Sequence, residues 1–229
     1  MKSIDKDRYL DELTTILIAK GSPRRAESAQ RDKGSTKTFL AIRVPVLREV
    51  AVRSFALREL SPADRLAVWD HVWRKSPHYE VMSIPLMHYL AQKAKIDAAV
   101  FPVMREWIDR IDDWGHCDGF GGCMSFLAHK SKGDVLPTLR KWNRAKDIWR
   151  IRASIVSLVH YSGKNAVYLT PDEVLPFLER HLGHDNKYVA NAVGWILREM
   201  HHVYAKEIDR YVAAHRDELT RAALRKARM

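Results

Sequence analysis

Cysteine is scarce in this chain: there are two in 229 residues, Cys117 and Cys123, with five residues between them. That spacing makes neither a C-x-x-C pair nor a disulfide framework, and it fits a reducing, cytoplasmic compartment. Long apolar runs are missing too. No stretch approaches the roughly eighteen apolar residues that a membrane helix needs, so no span is expected. The opening Met1-Lys2-Ser3-Ile4-Asp5 continues into polar residues rather than the apolar centre of a signal peptide. No P-loop, G-x-G-x-x-G or G-x-S-x-G is present, which removes the usual nucleotide-binding and serine-hydrolase readings. His181 and His184, the adjacent His201 and His202, and the group His116, Cys117, Cys123 and His129 all lack a zinc-type spacing, so no metal is expected.

What the chain has in excess is positive charge. Lys and Arg number 39 against 28 Asp and Glu, a formal net charge of +11. Such a surplus concentrates phosphate-bearing polyanions near the surface and is screened by salt. With 46% hydrophobic and 29% charged residues, the chain has the means to bury a core and does not read as disordered.

Apolar residues recur at helical spacing throughout, and no segment alternates as a strand does. Leu10, Leu13, Ile16 and Leu17 mark a first helix, closed by Gly21-Ser22-Pro23. A polar, basic stretch over 24–38 reads as a short helix or loop, and Pro45 sits in the first turn of the next helix. Ser61-Pro62, Ser76-Pro77 and Thr170-Pro171 are cap-and-N1 start signals, and Asp147 and Asp185-Asn186 read as further starts. Pro85 is expected to kink its helix, and single helices are expected over Asp97–Trp107 and from Asp147 through Val159. Lys132-Gly133-Asp134 reads as a break. Two final helices, near 203–215 and 217–227, close the chain; Arg221, Arg225, Lys226 and Arg228 on the second read first as a solvated face. Roughly a dozen helices with short connections form antiparallel pairs. Pair starts at 61, 97, 134 and 170 recur every 36 or 37 residues, within the range of helical repeats. The expected fold is all-α: a HEAT-like α-solenoid of antiparallel helix pairs over residues 1–229, a single repeat domain with a concave basic face.

The densest chemistry lies in Ile111-Asp112-Asp113-Trp114-Gly115-His116-Cys117-Asp118-Gly119-Phe120-Gly121-Gly122. Trp114 and Asp118 are four apart, so a helix starting at Trp114 puts them on one face. An aromatic platform with a carboxylate one turn away suits a cationic or sugar-like group beside a polyanion. The plain alternative is that Asp113 or Asp118 caps the helix and Trp114 is core. Trp69, Trp73, Trp107, Trp142 and Trp149 read as packing.

Four segments together resemble one family, the bacterial DNA-alkylation-repair glycosylases of the AlkD type. Phe39-Leu40-Ala41-Ile42-Arg43-Val44-Pro45-Val46-Leu47-Arg48 resembles the family's F-x-G-[IV]-x-x-P-x-L-R entry to a helix. Asp113-Trp114-Gly115-His116-Cys117-Asp118 resembles its Trp-x-x-x-Asp element, and Asp147-Ile148-Trp149-Arg150-Ile151-Arg152-Ala153 its x-W-x-R-R-A helix start. Ala192-Val193-Gly194-Trp195-Ile196-Leu197-Arg198-Glu199 resembles its A-[IV]-G-W-[VIL]-L-R-E helix. The segments keep the family's order. The chain departs from the pattern at Ala41, where the family has glycine, and in Thr36, Lys37 and Thr38 just before the phenylalanine.

The resemblance implies hydrolysis of the N-glycosidic bond of cationic alkylated purines, such as N7-alkylguanine and N3-alkyladenine, in double-stranded DNA. It implies Asp118 as the catalytic carboxylate and Trp114 and Trp195 as lining the lesion groove. Arg152 would contact the DNA backbone, with Arg150 as the alternative. No cofactor is implied, and a monomer is expected. A purine alkylated at N7 or N3 already carries positive charge and leaves as a neutral base without a general acid. One carboxylate then suffices, facing the oxocarbenium-like sugar and accepting a proton from water. Two other readings compete: a HEAT-like solenoid that holds damaged or branched DNA without catalysis, and a protein-interaction scaffold, which the basic charge makes less attractive.

Overall fold

The computed structural model describes residues 4–55, 57–160 and 166–229; Met1, Lys2 and Ser3 of the polar opening lie outside these ranges. The described residues form thirteen α-helices and no strand, with two isolated bridges, Thr38 to His78 and Val159 to Val167. The chain divides into two compact units, Met1–Gly119 and Phe120–Met229, and the boundary falls inside a helix.

The first unit holds α1 (Lys6–Ile18), α2 (Pro23–Lys33), α3 (Val44–Glu49) with a π-helical turn at Val50–Ser54, α4 (Pro62–Lys75), α5 (Tyr79–Ala91), α6 (Phe101–Met104) and the start of α7 (Trp114–Lys130). Leu13 and Leu17 of α1, Val68, Trp69, Val72 and Trp73 of α4, and Val81, Met82 and Ile84 of α5 are fully buried. Side chains four apart on α1 and on α4 each lie on one face, which is why these helices pack together. Ser61 caps α4 by accepting the Asp64 N–H at 3.2 Å, as Ser61-Pro62 predicts. The start signal at Ser76-Pro77 works differently. The Ser76 hydroxyl accepts the His78 N–H at 3.1 Å, and α5 begins only at Tyr79. The residues just before α5 are engaged elsewhere: Thr38 donates its N–H to Pro77 O at 3.0 Å and accepts from Tyr79 N–H at 2.8 Å. The single helix expected over Asp97–Trp107 is instead a 3₁₀ turn (Ala98–Val100), α6, and a 3₁₀ helix (Arg105–Arg110). Tertiary bonds shape this segment. The Trp107 indole N–H donates to Asp70 at 2.8 Å, its carbonyl accepts the Trp73 indole N–H at 3.0 Å, and Arg110 donates to Trp73 O and to Ser76 O.

Residues 35–42 are docked almost atom by atom. Asp112 accepts from Ser35 Oγ at 2.7 Å, Thr36 N at 2.9 Å, the Thr36 hydroxyl and the buried Lys37 ammonium. Although burial pushes this carboxyl up, those donors hold its pKa well below the usual carboxylate range. Phe39 stacks on Tyr79 with ring centroids 4.4 Å apart. The buried Glu80 carboxylate then accepts the N–H groups of Leu40 (2.8 Å) and Ile42 (3.3 Å), one on either side of Ala41. To present both amides to one carboxylate, Ala41 takes φ +55°, the left-handed region. This is the position where the resembling family carries glycine, and an alanine there is strained by about 1–2 kcal/mol. Glycine would relieve that strain and return part of the gain as unfolded-chain entropy. Ala41→Gly is therefore expected to stabilise the protein by roughly 0.5–1 kcal/mol, read as a higher denaturant midpoint with unchanged slope.

His88 of α5 is buried against Trp69, with rings 5.2 Å apart, and accepts from Gln92 Nε2 at 3.0 Å. Burial lowers its pKa from 6.5 to about 4. Its folded-state value is depressed, so the unfolded chain takes up a proton first as pH falls. The stability contributed by neutral His88 is present above about pH 6.5 and is lost progressively down to about pH 4, a loss of about 3 kcal/mol at most. Unfolding free energy measured across that window is expected to fall less steeply in His88→Asn.

The second unit holds the rest of α7, then α8 (Lys132–Asn143), α9 (Ile148–Val156), α10 (Pro171–Glu179), α11 (Lys187–His201), α12 (Ala205–Ala214) and α13 (Arg221–Ala227). Three sequence-expected starts hold here. Asp147 accepts the Arg150 N–H at 2.8 Å, Thr170 and Glu173 form a capping box on α10, and Asn186 accepts the Tyr188 N–H at 2.9 Å. The break at Lys132-Gly133-Asp134 narrows to Ser131 alone, with Gly133 inside α8. Helix α9 stops at Val156, short of the expected Val159, where the chain turns into the bridge with Val167 and His160 N–H donates to Ala166 O at 2.7 Å. The core gathers Phe120, Met124, Leu127, Leu139, Ile155, Leu178, Val193 and Ile196. Among the described residues no helix is long and apolar enough to cross a membrane.

Candidate active site

Helix α7 begins at Trp114, and the residue before it does the capping. Asp113 is fully buried, and its Oδ1 accepts the N–H groups of Gly115 at 2.7 Å and His116 at 3.0 Å. Its Oδ2 lies 3.3 Å from His116 Nδ1, and the Tyr79 hydroxyl stands near the same carboxylate, over Gly115. Burial pushes the Asp113 pKa up, but the bonds and charge of His116 together with the Gly115 amide outweigh burial and hold it below the usual carboxylate range. Burial, then the charge of Asp113, moves the Tyr79 phenol the other way, far above its usual value, so it stays a donor. His116 Nε2 lies 3.1 Å from the Tyr79 carbonyl, which can only accept, so this nitrogen carries the proton; Ser83 Oγ is 3.0 Å away. The rings beneath form a continuous column: Phe39 on Tyr79, Tyr79 on His116 at 4.0 Å, His116 against Trp73 at 5.3 Å, and Trp73 on Trp107 at 5.2 Å. Gly115 has a local reason. A Cβ there would run into the Tyr79 hydroxyl and would lie 3.1 Å from Asp113 Oδ1.

Of the three aspartates in this stretch, Asp112 therefore clamps residues 35–37 and Asp113 caps α7. Asp118 sits inside the helix, one turn on from Trp114 and on its face, 8% exposed. Trp114 is half-buried rather than core. Its ring carries a guest: the Lys33 ammonium, from the last residue of α2, stands 3.3 Å from the ring centroid. That nitrogen is also 3.0 Å from where a Cβ on Gly115 would be. Burial lowers the Lys33 pKa, against the opposing pull of Asp113, Asp32 and Asp118. Lys33 and Tyr79 are the site neighbours that the sequence does not reveal. Lys33 is one of several cations in a polar stretch, and Tyr79 reads as one more apolar residue of α5. Among the described residues, no group of three or more His, Cys, Asp or Glu side chains is placed to hold a metal ion.

The second unit carries the other expected residues. Trp195 lies on α11 among buried Val193, Ile196 and Leu197 but is itself half-exposed, and its indole N–H donates to Glu199 at 2.9 Å. Glu199 also accepts from Arg198 at 2.7 Å. Tyr188, Asn191, Trp195 and Arg198 repeat at three or four residues and are all half-buried, a stripe along α11 beside its apolar face. Trp149, read as packing, proves half-exposed and tilts against Tyr188 with centroids 5.0 Å apart; the fully or nearly buried Trp69, Trp73, Trp107 and Trp142 do pack as expected. Arg152 is largely buried and donates to the Tyr188 carbonyl, linking α9 to the first turn of α11, whereas Arg150 is half-exposed. Behind Trp195, Gly194 lets α13 approach: a Cβ there would meet the Ala223 carbonyl and lie 2.9 Å from Lys226 Cβ. On α13, Ala223 and Ala227 are buried, and Arg221, Arg225 and Lys226 are exposed.

A solved structure described as a predicted DNA alkylation repair enzyme from Enterococcus faecalis has the same fold. It shares 12% identity over 90% of this chain and 94% of that one, with a TM-score of 0.75. No curated protein sequence matches the chain significantly. The family model described as DNA alkylation repair enzyme matches residues 13–229, and the chain thus belongs to the DNA alkylation repair enzyme family.

Proposed function

We propose that this protein is a DNA glycosylase that hydrolyses the N-glycosidic bond of cationic alkylated purines, N7-alkylguanine and N3-alkyladenine, in double-stranded DNA. The observation that carries this reading is the pairing of Trp114 with Asp118 on one face of α7 while a cation, the Lys33 ammonium, sits 3.3 Å from the Trp114 ring. A surface that seats a positive charge on an indole, within the field of nearby carboxylates, suits a sugar that becomes an oxocarbenium-like cation. The cationic base departs neutral. Asp118 faces the positive charge that develops at C1′ and accepts a proton from the attacking water, and Trp114 holds the deoxyribose by contacts worth about 0.5–2 kcal/mol. Asp112 and Asp113 hold the fold, and Asp118 is the aspartate that shares a helix face with Trp114.

Trp195, on the half-exposed stripe of α11, serves as a second aromatic contact to the lesion. Arg152 contacts the DNA backbone, with Arg150 as the alternative. In this reading residues 1–229 act as one HEAT-like α-solenoid with a concave basic face, working as a monomer in the cytoplasm without a cofactor. In single-turnover assays on a duplex with one N7-methylguanine, wild type is expected to release the base. Asp118→Asn should slow release by at least about 10-fold, some 1.4 kcal/mol of transition-state stabilisation. Salt-sensitive binding of that duplex without release above the spontaneous rate sinks the enzyme reading and leaves a non-catalytic DNA-binding solenoid.

A further inference from the structure

Lys33 is not explained by the hydrolysis just described, which needs a carboxylate and water but no amine. It closes α2, a helix with no buried residue of its own, yet its side chain is turned onto the half-buried Trp114. Its nitrogen sits close over Gly115, and the charges of Asp113 and Asp118 reach it. A lysine that only solubilised the surface would not be held there.

We propose that Lys33 is a Schiff-base nucleophile toward abasic deoxyribose, so that the protein also cleaves the DNA strand at abasic sites by β-elimination. This rests on the reading that the deoxyribose meets Trp114 and Asp118. Once a base has left, the sugar opens to an aldehyde at C1′, the electrophile an amine requires. The lone pair of Lys33 Nζ forms a bond to C1′, the aldehyde oxygen leaves as water after protonation, and an iminium remains. Water takes a proton from C2′, the C–H electron pair forms an enamine, and that enamine expels the 3′ phosphate as the C3′–O bond breaks. Water hydrolyses the unsaturated iminium and returns the free amine. Neither an oxidant nor a reductant enters, so the step is complete with the groups named. Partial burial of Lys33 favours its neutral, nucleophilic form, in the manner of other desolvated lysines.

The test uses the full chain and a duplex carrying one preformed abasic site, with and without sodium cyanoborohydride, which reduces an iminium to a stable secondary amine. Wild type is expected to form a cyanoborohydride-dependent covalent adduct whose modified peptide maps to Lys33, and to nick the abasic strand. Lys33→Ala and Lys33→Arg should both lose the adduct, the arginine variant because it keeps the charge but has no amine to condense. Absence of adduct in wild type, or an adduct mapped to another amine, overturns the proposal. The glycosylase reading is scored separately on the methylated duplex. Base release without adduct leaves that reading standing and removes this one; adduct at Lys33 without base release does the reverse.

Discussion

Asp113→Ala is expected to lower the stability of the Met1–Gly119 unit by about 3–5 kcal/mol, the range for removing one partner from a buried, hydrogen-bonded charged group. The carboxylate is fully buried, accepts the Gly115 and His116 N–H groups and lies 3.3 Å from His116 Nδ1, so alanine strands both amides and takes the charge away from the imidazole. It also removes the negative charge at the start of α7, where the helix dipole favours it. Asp113→Asn retains an acceptor for the two amides and should lose less. Equilibrium unfolding in denaturant separates the two substitutions. A drop in Asp113→Ala no larger than for an exposed cap, roughly 1 kcal/mol, would show that the carboxylate is an ordinary N-cap and not the centre of this network. Acid should act in the same direction. The folded-state pKa values of Asp112 and Asp113 are depressed, so the stability they contribute is present above the ordinary carboxylate range and is lost as pH falls through and below it.

Gly194→Ala is expected to be the most damaging change in the second unit, with a loss of about 3 kcal/mol or more from overpacking. The added methyl meets backbone, the Ala223 carbonyl of α13, which cannot swing aside as a flexible side chain does. Helices α11 and α13 must separate, and Trp195 moves with its backbone. Thermal melting should report the loss, and limited proteolysis should show cleavage within α13 before the rest of the unit. Gly133→Ala is the matched control. It lies within α8 with nothing near its missing Cβ, so the gain in helix propensity of up to about 1 kcal/mol should make it neutral or slightly stabilising. Equal effects from the two substitutions would mean that the close approach of α13 is not what Gly194 provides.

The helical class was legible because apolar spacing and cap residues agree, as at Ser61-Pro62 and Thr170-Pro171. It failed where a tertiary partner took over the capping atoms, as Thr38 does before α5, or the carbonyls, as Trp73 does at Trp107. That Trp114 and Asp118 share one helix face was legible because a spacing of four on a helix is local. Which aspartate caps α7 was not legible, since Asp112 is taken by Ser35, Thr36 and Lys37, far earlier in the chain. Lys33 was hidden for the same reason. Its identity as one basic residue among many says nothing of the indole it rests on. The glycine pattern at Ala41 becomes intelligible only with the backbone in view, as the bend between two amides that share the Glu80 carboxylate.

Helix α2 has eleven residues and buries none of them. A helix of that length is marginal in isolation, so its stability comes from its ends: the Ser22 N–H on Leu40 O at 2.7 Å, and the Lys33 ammonium on Trp114 beside the clamp at residues 35–37. Its local opening free energy is accordingly a small part of the global value. The indole face of Trp114 is held by a tethered lysine, which any ligand arriving from solution at that face would have to displace. Apparent affinity for any sugar or cation that uses this face is reduced by the fraction of time Lys33 holds it, and a change that loosens α2 tightens binding without touching the ligand.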